Sequence, residues 1–202
     1  FDGQDDCCAP RRDPNKRPQV ALAKLLLTRV VDAGLNGKSV LEVGCGRGEL
    51  SAELLRAGAA RVTGTDLSPP SIELAVRMAK EDELSDRLQF VVENATGSLP
   101  AHDAVVHHRV ICCYPNADEF LARTIAAARS LYAFSMPKSA GFGGWCMRAA
   151  LLAENVDHRL RHGAFRVYDH DERKVDRALV AAGFRLHARA NQLGWFAAAY
   201  VR

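Results

Sequence analysis

The chain has 202 residues, 48% of them hydrophobic and 25% charged, a makeup that supports one buried core and excludes an intrinsically disordered chain. A formal net charge of +3 leaves no broad basic surface, and the one basic cluster, Arg11, Arg12, Lys16 and Arg17, reads as a solvated arm. Six cysteines that include the adjacent pairs Cys7-Cys8 and Cys112-Cys113, with no CxxC, argue against a secreted disulfide framework and a zinc site, and no apolar run reaches the roughly 18 residues that span a bilayer; a cytoplasmic protein is expected.

In chain order, residues 1–18 hold three prolines and many charges and read as a flexible N-terminal arm. A single folded domain is expected over 19–202. From Gln19 to Ala33, Val20, Ala23, Leu26, Leu27, Val30 and Val31 recur at helical spacing, and Gly34 follows. SVLEV (39–43) is a short apolar run, as expected of a strand covered on both faces. Glu49 to Ala57 returns to helical periodicity and ends at Gly58. RVTGTD (61–66) reads as a strand, Ser68 to Lys80 as a helix opened by SPPS, and RLQFVVEN (87–94) as a third strand. AVVHHRV (104–110) is a fourth strand, Asp118 to Arg129 a helix and SLYAFSMP (130–137) a fifth strand. A helical insertion is expected at about 138–168, with its helix from Gly144 to Leu160, then a helix over 171–184 headed by Asp169 or Asp171. FRLHARA (184–190) and GWFAAAYV (194–201), split only by a turn around Asn191 to Leu193, read as an antiparallel hairpin. The whole predicts a doubly wound α/β fold: a mostly parallel seven-stranded sheet, an antiparallel C-terminal hairpin and helices on both faces.

The first strand runs into GCGRG, with Gly44, Gly46 and Gly48 spaced by two and Glu42 just before them. A dinucleotide site would show GxGxxG, but the third position here is Glu49, whose carboxylate at a helix mouth opposes a pyrophosphate. A phosphate-free nucleoside fits better, and S-adenosylmethionine (SAM) is one. Glycines with no Cβ let the backbone around Cys45 and Gly46 approach it closely. Asp66 closes the second strand, where an acid accepts hydrogen bonds from both ribose hydroxyls. Asn94 ends the third strand with an amide oxygen for the adenine amino group, the Ala95 N–H reaches a ring nitrogen, and Leu67 covers an adenine face.

The stretch VLEVGCGRGELSAELLRAGAARVTGTDLSPPSIELA (40–75) resembles the class I SAM-dependent methyltransferases, a likeness that runs from about residue 20 to 202. HHRVICCYPN (107–116) resembles the HRVVCCYPD-type segment of a branch that includes magnesium-protoporphyrin and ubiquinone-pathway O-methyltransferases. Asn116 stands where that branch commonly has aspartate, and Asn94 where the wider family commonly has an acid. The resemblance implies SAM as cofactor, S-adenosylhomocysteine as product and a small-molecule acceptor methylated by in-line displacement, with an oxygen acceptor favoured. It further implies that the His107 carbonyl meets the SAM ammonium, that His108 near the methyl is the candidate general base, and that Tyr114 lines the acceptor pocket. Trp145, Cys146 and Met147 fall where such folds carry a substrate lid, while His158, His162 and His170 have no metal-ligand spacing. Nucleic acid is not an expected partner, since CYPN replaces the NPPY-type motif of several base-amino methylases. A nucleic-acid methyltransferase and a non-catalytic SAM-binding protein stay open as alternatives, and oligomeric state is not encoded in any motif.

Overall fold

A computed structural model describes residues 17–160 and 166–202. The expected arm, with Cys7-Cys8, Arg11, Arg12 and Lys16, lies outside the described residues, apart from the start of the first helix. Strands β1 (Ser39–Val43), β2 (Arg61–Asp66), β3 (Leu88–Val92), β4 (His102–His108), β5 (Ala128–Pro137), β6 (Arg185–Gln192) and β7 (Trp195–Val201) form one sheet in the order β3-β2-β1-β4-β5-β7-β6. β3 through β5 run parallel and β7 lies antiparallel to both β5 and β6, so the predicted architecture is the observed one.

The helices are α1 (Arg17–Asp32), α2 (Glu49–Arg56), α3 (Pro69–Glu81), α4 (Ala117–Ala127), α5 (Gly141–Leu160) and α6 (Glu172–Ala181). Two cores sandwich the sheet. On one face Leu22, Leu26 and Val30 of α1 and Leu50, Leu54 and Leu55 of α2 meet Val40, Ala104, Val106 and Leu131. On the other, Phe120, Leu121 and Ile125 of α4 and Val175 and Leu179 of α6 meet Leu41, Val105, Tyr132 and Phe134. Side chains of this kind, buried completely, contribute about 1.5–3 kcal/mol each. A third, smaller cluster of Cys112, Leu151 and Val167 joins α5 to the sheet's carboxyl edge.

Capping residues set several boundaries. Ser68 accepts from the Ser71 N–H (3.3 Å) before Pro69 and Pro70, Asn116 accepts from the Glu119 N–H (3.3 Å), and Asp171, not Asp169, accepts from the Arg173 N–H (2.9 Å). Asp169 instead pairs with Arg148 at 2.6 Å. The largest difference from expectation is β4, which spans 102–108 instead of 104–110. Arg109 takes a positive φ of 61°, which turns the chain out of the sheet and into a 3-10 turn over Ile111–Cys113. The hairpin turn likewise falls at Leu193 and Gly194, both with positive φ, so β6 runs on through Gln192.

Candidate cofactor and acceptor site

The strand order reverses direction between β1 and β4, and open α/β sheets form their ligand crevice outside the carboxyl ends of the strands at such a point. The loop after β1 is pinned from below, as the Gly44 and Cys45 N–H groups both donate to the Thr65 carbonyl, at 2.7 and 2.9 Å. Its three glycines serve different ends. A Cβ on Gly44 would sit 2.4 Å from Val110 Cγ2, and one on Gly48 would sit 2.4 Å from Phe90 Cζ. Those two are demanded by protein packing. At Gly46, with φ +53°, a Cβ would meet nothing within 4 Å, which leaves that backbone facing open space above the crevice.

Asp66 ties the loop to β2. One carboxylate oxygen accepts from the Gly46 N–H at 2.8 Å and the other from the Ser68 N–H at 3.0 Å. A carboxylate offers about four lone-pair sites, so each oxygen keeps room for a further donor. Leu67, half-buried, follows it directly.

Glu42, near the end of β1 before the glycines, is tied to the helix that follows them. It is 2% exposed, and Ser51 of α2 donates its hydroxyl to the carboxyl. Burial pushes the carboxyl up to about 8, helped by the nearby charges of Asp66 and Glu49 and opposed by Ser51, so it is mostly protonated at neutral pH. The Glu42 side chain therefore joins β1 to α2 behind the glycine loop. Cys45 is also buried, its Sγ packed against Gly64, and its thiol is pushed far up by burial and held unreactive.

At the end of β3, the Asn94 side chain is exposed and its oxygen accepts from both the Thr96 N–H (3.1 Å) and the Thr96 hydroxyl (3.0 Å). Ala95 is buried, and its N–H faces the Tyr114 hydroxyl. Burial raises Tyr114 to about 12, so it stays protonated and can only donate or accept a neutral hydrogen bond near pH 7. The Tyr114 ring packs on Phe120, and its carbonyl accepts from His170 Nε2 at 2.8 Å. Tyr114 thus stands between the ends of β3 and β4, within the electrostatic reach of Asp66.

The two β4 histidines point to opposite faces. The His107 side chain is buried in the α4 core, stacked on Phe134 and 3.1 Å from the Tyr132 hydroxyl. The Thr124 hydroxyl donates to the Phe120 carbonyl (2.8 Å), and the Tyr132 hydroxyl lies 2.7 Å from Thr124 Oγ1. The arrangement that satisfies all three contacts has Tyr132 donating to Thr124 and His107 Nε2–H donating to Tyr132. His107 Nδ1 then has no partner, and burial lowers this imidazole to about 3. His108 sits half-buried at the crevice edge, with Nδ1 2.8 Å from Ser135 Oγ. Burial, with the Arg109 charge adding to it, lowers His108 to about 4, so it is neutral at pH 7.

Some functional neighbours carry no signal of their own in the sequence. Ser51, Val110, Ser135 and Trp195 become part of the site only through strand pairing and helix packing. Phe90 has a partial signal, since Gly64 interrupts a strand pattern, and a Cβ there would lie 2.6 Å from the Phe90 ring. Of the expected lid, the Cys146 side chain lies outside the described residues, while Trp145 is exposed and Met147 packs on the cluster under α5; the His158 and His162 side chains also lie outside the described residues.

Residues 40–131 match the family model described as a methyltransferase domain. Among solved structures, the magnesium protoporphyrin IX methyltransferase of Synechocystis PCC 6803, crystallised with S-adenosylhomocysteine, aligns at a TM-score of 0.72 and 22% identity, covering 91% of this chain and 83% of that one. The chain has the class I methyltransferase fold. Geranyl diphosphate C-methyltransferase from Streptomyces coelicolor A3(2) shares the same fold at a TM-score of 0.68 and 15% identity, over 92% of this chain and 78% of that one. Curated relatives include the ribosomal protein L11 methyltransferase of Enterobacter sp. (strain 638), 36% identical over 72 residues. That match covers 36% of this chain and 25% of the relative, so the methyltransferase-like chain spans about a quarter of the length of the curated relatives it matches. No helix among the described residues is long and apolar enough to cross a membrane, and none of their His, Cys, Asp and Glu side chains cluster as a metal site.

Proposed function

We propose that the chain is a SAM-dependent methyltransferase acting on a small-molecule acceptor, with an oxygen acceptor favoured. The observation that carries this reading is the Asp66 carboxylate, held by the Gly46 and Ser68 N–H groups beside the one loop glycine whose Cβ direction is open. When bound, SAM supplies a sulfonium-activated methyl for in-line displacement and leaves as S-adenosylhomocysteine.

This chain's residues then act as follows. Asp66 accepts the ribose hydroxyls, Gly46 lets its backbone pass close to the ligand, and Leu67, Asn94 and Ala95 border the adenine. The His107 carbonyl meets the ammonium group, while Glu42, Cys45, Gly44 and Gly48 fix the loop from behind. His108, neutral and leaning on Ser135, takes the acceptor's proton at Nε2, and Tyr114 orients bound groups as a neutral donor. Asn94 must give up a Thr96 contact to address the adenine, since its side-chain oxygen already accepts twice.

Calorimetry with S-adenosylhomocysteine and NAD tests the assignment. Binding of the first and not the second is expected, and Asp66→Ala should weaken it at least a hundredfold by losing a charge-assisted pair. Wild-type affinity in Asp66→Ala, or preferential NAD binding, overturns it. A protein acceptor is the second reading, supported by the 36% identity to L11 methyltransferases. Transfer of labelled methyl into the protein fraction of an extract, and not into its small molecules, would favour it.

A further inference from the structure

Arg109 is left over by the roles described so far. It follows the last residue of β4 directly, and its φ of 61° is a left-handed backbone that an L side chain rarely adopts without compensation. The surroundings hold it there. Its N–H lies 3.1 Å from Ser135 Oγ and 3.3 Å from the Ser135 carbonyl, and its own carbonyl accepts from the thiols of Cys112 (3.5 Å) and Cys113 (3.6 Å). The cysteine pair thereby acquires a task in place.

The outcome of this unusual backbone is the position of a cation. The guanidinium lies over the Trp195 ring, 5.0 Å from its centroid, at the start of β7 and therefore at the same carboxyl edge of the sheet as the crevice. Trp195 also borders the cluster under α5, so the stacked pair sits between the sheet edge and the helix that follows β5. Among the described residues the Arg109 side chain forms no hydrogen bond or ion pair. Its five N–H donors lie half-buried against that ring, and no carboxylate among the described residues pairs with them. Ser135 Oγ touches both the Arg109 backbone N–H and His108 Nδ1, and the Arg109 charge lies near enough to help lower the His108 imidazole.

We propose that Arg109, stacked on Trp195, is the acceptor-recognition residue of this site and that the acceptor carries a carboxylate, gripped by the planar guanidinium while His108 faces the atom to be methylated. The inference rests on the methyltransferase reading above and names its acceptor class. Arginine suits the task because its fork matches a carboxylate in two parallel hydrogen bonds, and a ring beneath it fixes the plane of that fork.

The test uses the full chain saturated with S-adenosylhomocysteine, titrated with benzoate, benzamide and phenyl phosphate. Benzoate should bind at least tenfold tighter than the neutral, near-isosteric benzamide, and tighter than phenyl phosphate. Arg109→Asn should abolish that preference, since asparagine accepts the left-handed backbone and lacks the cation. Arg109→Lys should keep only part of it. Trp195→Phe, which retains a ring, should keep more of it than Trp195→Leu. S-adenosylhomocysteine affinity should stay at the wild-type value throughout, and the thermal midpoint of Arg109→Asn should be no lower than wild type. Equal binding of benzoate and benzamide, or an undiminished preference in Arg109→Asn, overturns the proposal, and stronger binding of phenyl phosphate overturns its choice of carboxylate. Failure of the wild-type protein to bind S-adenosylhomocysteine strikes the methyltransferase reading itself, whereas intact binding without a carboxylate preference strikes the present inference alone.

Discussion

A Cβ added at Gly46 would stand in open space, so the protein itself does not forbid a side chain there beyond the cost of its positive φ. Gly46→Val should therefore fold with a modestly lowered thermal midpoint while losing S-adenosylhomocysteine binding, because the new methyls occupy the space that the ligand needs. Calorimetry and a thermal melt on the same sample check both halves. His108 gives a second expectation at this scale. With its imidazole lowered to about 4, the group stays neutral from pH 8 down past pH 5, so kcat/KM should show no His108 inflection near 6.5 and should fall only toward pH 4. His108→Ala should slow turnover with nearly unchanged S-adenosylhomocysteine affinity, and should remove that acid limb from the rate profile.

At the scale of elements, the turn from β1 into α2 is a joint whose parts come from four places in the chain. Gly44 receives Val110 from the exit of β4, Gly48 receives Phe90 from β3, and Glu42 of β1 receives Ser51 from α2. Gly48→Ala would thrust a Cβ to 2.4 Å from the Phe90 ring in a backbone of φ +80°, and overpacking of this kind typically costs about 1–3 kcal/mol. Urea unfolding should show that loss, with ligand binding falling because the joint shifts and not because the ligand is blocked. Phe90→Ala should recover part of the loss if the ring is the obstacle. The spacing of the glycines is plain in the sequence, but which of them faces a ligand is not, because Val110 and Phe90 are distant in the chain and arrive only through strand pairing.

For the molecule as a whole, three titratable groups shifted by desolvation shape the dependence of stability on pH. Glu42 titrates at about 8 when folded against 4.5 for the free carboxyl, so the native state binds more protons between these values. Its contribution is complete below about pH 4.5 and is lost as pH rises through 8. His107 and His108 are displaced in the other direction, to about 3 and 4 from 6.5, so the unfolded chain binds more protons below 6.5 and stability falls as the solution is acidified through that range. With two histidines against one carboxyl, these groups together place the stability maximum close to pH 6.5. Denaturant midpoints measured from pH 4.5 to 9 should trace that maximum, and Glu42→Gln, which keeps a neutral group beside Ser51, should flatten the alkaline side. An alkaline side unchanged in Glu42→Gln would show that the carboxyl is not the source.

The amino-acid sequence by itself determined the alternation of strands and helices, the β1 and β2 boundaries, the parallel sheet with its terminal hairpin, and the pairing of GCGRG with Asp66. Each of these follows from local chemistry: apolar runs of strand length, helical periodicity, caps such as Ser68, and glycines that break a strand. Tertiary structure alone decided the placement of β7 between β5 and β6, the early end of β4 at Arg109, the inward burial of Glu42 and His107, and the stacking of Arg109 on Trp195. Those features depend on contacts between residues far apart in the chain, where packing overrides what the polarity of a residue suggests about its exposure. Glu42 and His107 are polar yet buried because each lies on a strand covered on both faces, with a hydroxyl from Ser51 or Tyr132 to meet it.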